Sequence, residues 1–123
     1  MKNDLVCNVL MIDPVMINAI GMRAVFHEII DLEVTSVQNC VEAIQTLKKK
    51  RFDLIFFEIN NKGVLDVRSF FEIRKVEPYI RIIVFTDYEN IEEIVVIMKG
   101  FRNCTILKKT ASQEEIFQNI KYG

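Results

Sequence analysis

Five short apolar runs recur along the chain, at residues 7–12, 33–37, 53–58, 80–85 and 103–107, and each is followed by a longer segment with helical spacing. Runs this short and this rich in Val, Ile and Phe read as strands buried on both faces. Strands alternating with helices imply a parallel sheet with helices on both sides, since a parallel neighbour needs a long crossover. Right-handed crossovers leave few topologies, and for five strands they favour the order 2-1-3-4-5. The expected fold is therefore α/β and doubly wound. Its binding rim should lie at the carboxyl ends of the strands, near the switch point between strands one and three.

The helix ends carry their own signals. Asp13-Pro14 is a good N-cap with proline at the first helical position, followed by an apolar face of Ile17, Ile20, Ala24, Phe26, Ile29 and Ile30. A second helix opens at Asn39 with Glu42 three residues on, burying Ile44 and Leu47. A third begins near Asp66 and stops before Pro78, with Phe70, Ile73 and Val76 facing the core. A fourth begins near Asn90 and ends at Lys99-Gly100, and the fifth opens on the capping box Ser112-x-x-Glu115, burying Ile116 and Ile120.

With 123 residues, half of them apolar, the chain can bury one sizeable core and is expected to form one domain. A net charge of −1 gives the domain as a whole no electrostatic reason to bind nucleic acid or anionic lipid. The basic run Lys48-Lys49-Lys50-Arg51 falls at a helix end, where cations suit the dipole; partner docking is the alternative. Cys7, Cys40 and Cys104 are widely separated, with no CxxC pair and His27 as the lone histidine, which argues against a zinc site and a disulfide framework. His27 is expected at a surface or interface. No apolar stretch reaches the length of a membrane span and no signal-peptide pattern opens the chain, so the expected compartment is the cytoplasm.

Chemistry should be sought on the rim. Strand one ends at Asp13, strand three at Glu58, strand four at Thr86 and strand five at Lys108. Each has an innocent role taken alone: a helix cap, a solvated loop acid, a turn residue, one of two adjacent surface lysines. All four at the ends of the correct strands form a stronger signal.

Those segments, Val-Leu-Met-Ile-Asp13, Asp53-Leu-Ile-Phe-Phe-Glu58 with Gly63 five residues on, Ile-Ile-Val-Phe-Thr86 and Thr105-Ile-Leu-Lys108, resemble the receiver domain of two-component response regulators over essentially the whole chain. The resemblance implies a flavodoxin-like (βα)5 sandwich spanning residues 1–123, with no second domain. The stretch Ile20-Gly21-Met22-Arg23 is similar to the NarL/FixJ branch, whose output is a LuxR-type helix-turn-helix. In that family an acidic pair after strand one holds Mg²⁺ and an aspartate ending strand three accepts a phosphoryl group. A Ser/Thr after strand four and a Lys after strand five contact its oxygens. By position, Asp13 matches the first acid, Glu58 the acceptor, Thr86 the hydroxyl and Lys108 the lysine.

The departures matter more. Pro14 replaces the second acid, so a charged ligand for Mg²⁺ is missing. Glu58 replaces the acceptor aspartate and sets its carboxylate about one methylene deeper into the pocket, against the in-line geometry that phosphoryl transfer needs. Lys62 stands where proline commonly precedes Gly63, and Thr105 replaces the aromatic switch residue. The pocket Asp13, Glu58, Thr86, Lys108 is thus expected to be a degenerate phosphoacceptor site with no catalytic residue. Mg²⁺ binding is weak or absent, confined to Asp13 and Glu58 if it persists. Lys108 is the expected counter-ion of both carboxylates, with Glu58 either mimicking the phosphorylated state or marking a pocket that has simply decayed.

The leading expectation is a pseudo-receiver, not an enzyme, that serves as a dimerisation module for a transcription regulator. DNA is met only through an output domain outside this chain. The partner is a second copy or another response regulator, and excess apolar residues in the fourth helix (Ile91, Ile94, Val95, Val96, Ile97, Met98) and in the first (Met16, Met22, Val25) suit either an interface or the core. A stand-alone adaptor and a weakly Mg²⁺-binding phosphoacceptor are the alternatives. A nucleotide or flavin enzyme is disfavoured, because no G-x-G-x-x-G or Walker A loop follows strand one.

Overall fold

In the computed structural model, which describes residues 7–15 and 32–122, the five apolar runs form one parallel sheet. The strands are β1 (Cys7–Ile12), β2 (Leu32–Val37), β3 (Leu54–Phe57), β6 (Arg81–Thr86) and β7 (Cys104–Lys108), in the order β2-β1-β3-β6-β7. Between β3 and the next helix lies a small antiparallel hairpin, β4 (Asn60–Asn61) and β5 (Val64–Leu65). With the hairpin set apart, the main sheet has the expected order 2-1-3-4-5. The helix expected after Asp13-Pro14, together with His27 and Ile20-Gly21-Met22-Arg23, lies outside the described residues.

Side chains alternate along each buried strand and so build two cores. Leu10, Ile12, Ile55, Phe57, Ile82 and Val84 face one side, where Phe70 and Ile73, Ile94 and Met98 pack on them. Val9, Met11, Leu54, Phe56, Ile83 and Phe85 face the other, with Leu107 and Ile120. Phe70 is fully buried and touches the rings of Phe57, Phe71 and Phe101, tying its helix and the segment before β7 to the sheet.

The described helices are α1 (Cys40–Lys49), α2 (Val67–Val76), α3 (Ile91–Met98) and α4 (Gln113–Tyr122). All four begin at the caps the sequence marks. Asn39, Asp66 and Asn90 accept from the backbone N–H of Glu42, Ser69 and Glu93 respectively. Ser112 and Glu115 close a reciprocal box, at 3.1 Å from Glu115 N to Ser112 Oγ and 3.3 Å from Ser112 N to Glu115 Oε1. Ile44, Val76 and Ile116, expected in the core, are only partly buried, Val76 and Ile116 still packing against the two cores.

The hairpin turn is Lys62-Gly63, both with positive φ, at 53° and 88°. That is the backbone a two-residue turn of the primed type requires, and glycine meets it without penalty. At the opposite pole, Arg74 is 8% exposed and has no carboxylate partner among the described residues. Its guanidinium donates to the carbonyls of Glu77 (2.9 Å), Ile80 (2.6 Å), Arg102 (3.0 Å) and Asn103 (3.4 Å), fastening the end of α2 to the start of β7. All three cysteines are free thiols, and burial pushes the Cys7 and Cys40 thiols above their ordinary value.

Candidate functional site

Parallel pairing brings the carboxyl ends of β1, β3, β6 and β7 to one rim. Asp13 follows β1 and Glu58 follows β3; their backbones are locked by Asp13 N donating to Val37 O and Glu58 N to Ile12 O, each at 3.0 Å. Both acids are buried, Asp13 to 2% exposure and Glu58 to 9%. Carboxylates so placed demand a counter-charge.

That counter-charge is Lys109. Its Nζ lies 2.8 Å from Asp13 Oδ2 and 2.8 Å from Glu58 Oε1. Burial alone would lower the lysine pKa, but the hydrogen bonds to Asp13 and Glu58 outweigh it, and the net shift is upward. The remaining carboxylate oxygens are also engaged. Asp13 Oδ1 accepts from Val15 N at 2.8 Å, so this residue opens the following segment and binds the lysine at once. Glu58 Oε2 accepts from Asn60 N at 2.9 Å, and Oε1 accepts a second bond from Asp87 N at 3.1 Å.

The expectation that Lys108 fills this place is corrected by the structure. Lys108 is exposed, and nothing pairs it with either acid. The cause is a one-residue error in the end of the last strand. Ladder pairing runs through Thr86 opposite Lys108, so the first residue free to turn over the rim is Lys109, whose N–H still donates to Thr86 O at 2.9 Å. Neighbouring side chains on a strand point to opposite faces, and two adjacent lysines look alike in sequence. Thr105 stands three residues before Lys108; the place three residues before Lys109 is Ile106, half-buried against the α3 side of the sheet.

Thr86 lies on the same rim, 1% exposed, but its Oγ1 accepts from Tyr88 N at 3.0 Å and thereby shapes the loop leaving β6. Pro14 lines a cavity of about 270 Å³ together with Glu58, Asn60 and Asp66, so the position expected for a second acid does border the pocket and supplies no oxygen to it.

Asn60 and Asp87 were not singled out by the sequence. Asn60 Nδ2 donates to Asp87 Oδ1 at 2.8 Å, and Asn60 Oδ1 accepts from Gly63 N at 2.8 Å. Asn60 thus joins Glu58, through its backbone N–H, to the hairpin and the β6 loop, through its side-chain amide. The Asn60 bond, with further help from Lys109, holds the Asp87 carboxyl below its ordinary value. An asparagine two residues past a strand-ending acid is a turn-former that a closer reading of the loop would have flagged.

The family model of the response regulator receiver domain matches residues 9–121. Among solved structures, the chain is similar to a response regulator protein from Burkholderia pseudomallei with a phosphorylated aspartic acid, calcium ion and citrate, at 22% identity and a TM-score of 0.75 over 94% of this chain and 67% of that one. It is also similar to RcsB from Salmonella enterica serovar Typhimurium bound to promoter rprA, at 18% identity and a TM-score of 0.76, covering 93% of this chain and 95% of that one. The beryllofluoride-activated NtrC4 receiver domain dimer gives 21% identity and a TM-score of 0.78, over 94% and 93% of the two chains. A search of curated proteins finds no match. The fold, the strand order and the near-complete span of the family model agree, and the chain belongs to the response regulator receiver domain family.

Proposed function

We propose that this receiver is a pseudo-receiver, held in one arrangement by its own ion cluster instead of being switched by a kinase. The observation that carries this reading is Lys109 Nζ at 2.8 Å from both Asp13 and Glu58. An ammonium stands between the two carboxylates that would share a metal, and Pro14 brings no third. Mg²⁺ asks for near-octahedral oxygen coordination, and this donor set does not fit it. Glu58 is poorly placed as an acceptor too, because both its oxygens are tied to Lys109, Asp87 N and Asn60 N.

A phosphoryl group brings close to two negative charges and draws the rim together. Glu58 brings one, already bonded to the lysine and to the β6 loop. This supports a constitutive state that resembles the activated one in connectivity and falls short of it in charge.

In the wider reading, the domain is a regulatory and dimerising module for a transcription regulator of the NarL/FixJ branch. Its helix-turn-helix output is outside this chain and DNA is met only through that output. The Ile20-Gly21-Met22-Arg23 stretch and the description of the fold neighbour RcsB bound to a promoter support this. No helix among the described residues is long and apolar enough to cross a membrane, in keeping with a cytoplasmic place of action.

The test is incubation with acetyl phosphate and Mg²⁺, or with beryllofluoride and Mg²⁺, followed by intact mass and a fluorescence or NMR titration. The expected result is no phosphoryl adduct and no saturable Mg²⁺ response. A stoichiometric adduct on Glu58 would revive the weakly Mg²⁺-binding phosphoacceptor and overturn the proposal. Glu58→Asp combined with Pro14→Asp should gain phosphate uptake that the natural chain lacks.

A further inference from the structure

Helix α1 runs into four consecutive cations, Lys48, Lys49, Lys50 and Arg51, all of them exposed. Two of these serve the helix. Lys48 and Lys49 lie in its last turn, where a cation meets the negative end of the dipole, and that benefit fades within the turn. Lys50 is already the C-cap, extended at φ −147° and ψ 147°, and Arg51 lies beyond the helix. Four like charges in a row repel one another, and helix stability does not account for the second pair.

Among the described residues nothing neutralises them, and none of the four makes an ion pair. The places three and four residues before the lysines, where a helical partner would stand, hold Ile44, Gln45, Thr46 and Leu47, with no acid among them. The nearest acid in sequence, Asp53, is engaged elsewhere, its Oδ2 accepting from Asn8 N at 2.8 Å. The neighbouring α2 differs, since its last-turn Lys75 pairs with Glu72 at 3.7 Å. Lys50 Nζ stands 5.4 Å from the centre of the Phe52 ring, a contact that steadies the side chain and leaves its charge in place.

Successive helical residues point about 100° apart and successive extended residues to opposite sides, so the four charges fan around the end of α1 instead of lining one face. A rigid DNA duplex resting against this end meets one side of the fan, whereas a flexible chain bends round it and meets every charge. The rest of the domain is net acidic, which further disfavours a long polyanion. We propose that the fan is a docking site for an acidic, extended segment of another protein. Its aspartates and glutamates pair with Lys48, Lys49 and Lys50, and one carboxylate takes the planar guanidinium of Arg51 through two parallel hydrogen bonds. Helix α1 starts at the rim, where its cap Asn39 lines the cavity with Glu58, and ends before the first residues of β3. A partner held at its far end therefore leaves the cluster of Asp13, Glu58 and Lys109 untouched, and the docking site stands whether or not the rim takes phosphate.

The probe is octaglutamate, titrated at low salt into the isotope-labelled chain and followed by amide NMR. The expected result is saturable shifts at residues 48–52 with Asn60 and Asp87 unmoved, at a dissociation constant near about 1 mM, as four exposed ion pairs give. Added salt should weaken it. Lys49→Glu/Arg51→Glu should weaken binding by more than about tenfold, and Lys108→Gln, at the other pole, should leave it unchanged. Arg51→Lys keeps the charge and should still weaken binding by about twofold to threefold, because an ammonium lacks the guanidinium's fork. The amide spectra also check that each variant is folded. Absence of saturable shifts, or shifts that survive Lys49→Glu/Arg51→Glu, overturns the site, and an Arg51→Lys chain that binds as well as the natural one overturns the role given to the guanidinium. A short DNA duplex of equal charge that binds more tightly than the peptide overturns the acidic segment in favour of nucleic acid. Amides of the fan that move on dilution without peptide overturn it in favour of a second copy.

Discussion

Replacing Lys109 with methionine keeps most of the side chain's length and removes the charge that Asp13 and Glu58 share. Both carboxylate side chains are only 3% exposed, and the lysine side chain 16%. Without the ammonium, two buried acids remain on one rim with no cation between them. Breaking a buried ion pair by deleting one partner costs roughly 3–5 kcal/mol, and the partial exposure of Lys109 places the loss near the lower figure, about 3 kcal/mol. Lys108→Met is the matched control: the residue is exposed and unpaired with either acid, so its effect should stay within about 0.5 kcal/mol. Urea unfolding of both variants measures the difference, provided their slopes agree. The pH dependence adds a second check. In the natural chain the Lys109 pKa is raised, so its contribution is complete below the ordinary lysine value of about 10.4 and is lost only as pH rises through the higher folded value. The Lys109→Met deficit should therefore hold steady through neutral and mildly alkaline pH and shrink only above the ordinary lysine range. Equal losses for the two variants, or a deficit that shrinks well below that range, would refute the bridging role.

Arg74→Met should destabilise by about 3 kcal/mol in urea unfolding, because the part-buried carbonyls of Glu77, Ile80 and Arg102 lose a charged donor while Asn103 O keeps only Ile82 N, and Arg74→Lys should recover only part of it, since a single ammonium cannot span the same set. Gly63→Ala should cost about 1 kcal/mol from its φ of 88° alone, as an added Cβ meets nothing within 4 Å, while Lys62→Asn should stabilise the same turn by a few tenths of a kcal/mol. Thermal denaturation reads both. Ser112→Ala should remove about 1 kcal/mol by opening the box at the start of α4, and a loss of near-zero would mean that the box is not closed in solution.

Most of the fold was legible because its signals are local. Asn39, Asp66, Asn90 and Ser112 announce four helices through residues at fixed offsets, and the apolar runs place the strands within one or two positions. The failures are of a different kind. Lys108 was favoured over Lys109 because a strand end is decided by hydrogen-bond pairing with Thr86, which sequence pattern does not record. The hairpin of β4 and β5 was missed because Asn60-Asn61-Lys62-Gly63 is polar and short, so it carries no period-two apolar signal. Its one local cue was an asparagine and a glycine flanking a turn. Asn60 and Asp87 meet across 27 residues, and only the sheet's register brings them together.

The two poles of the sheet differ in what a single substitution can undo. At the Arg74 pole the acceptors are peptide carbonyls, which every residue carries, so Arg74 is the one side chain whose loss opens that clasp. At the Lys109 pole all three groups are side chains, from the ends of three different strands, and each can be exchanged without touching the backbone. Sequence drift can therefore retune the functional rim one group at a time while the far end of the sheet stays as it is.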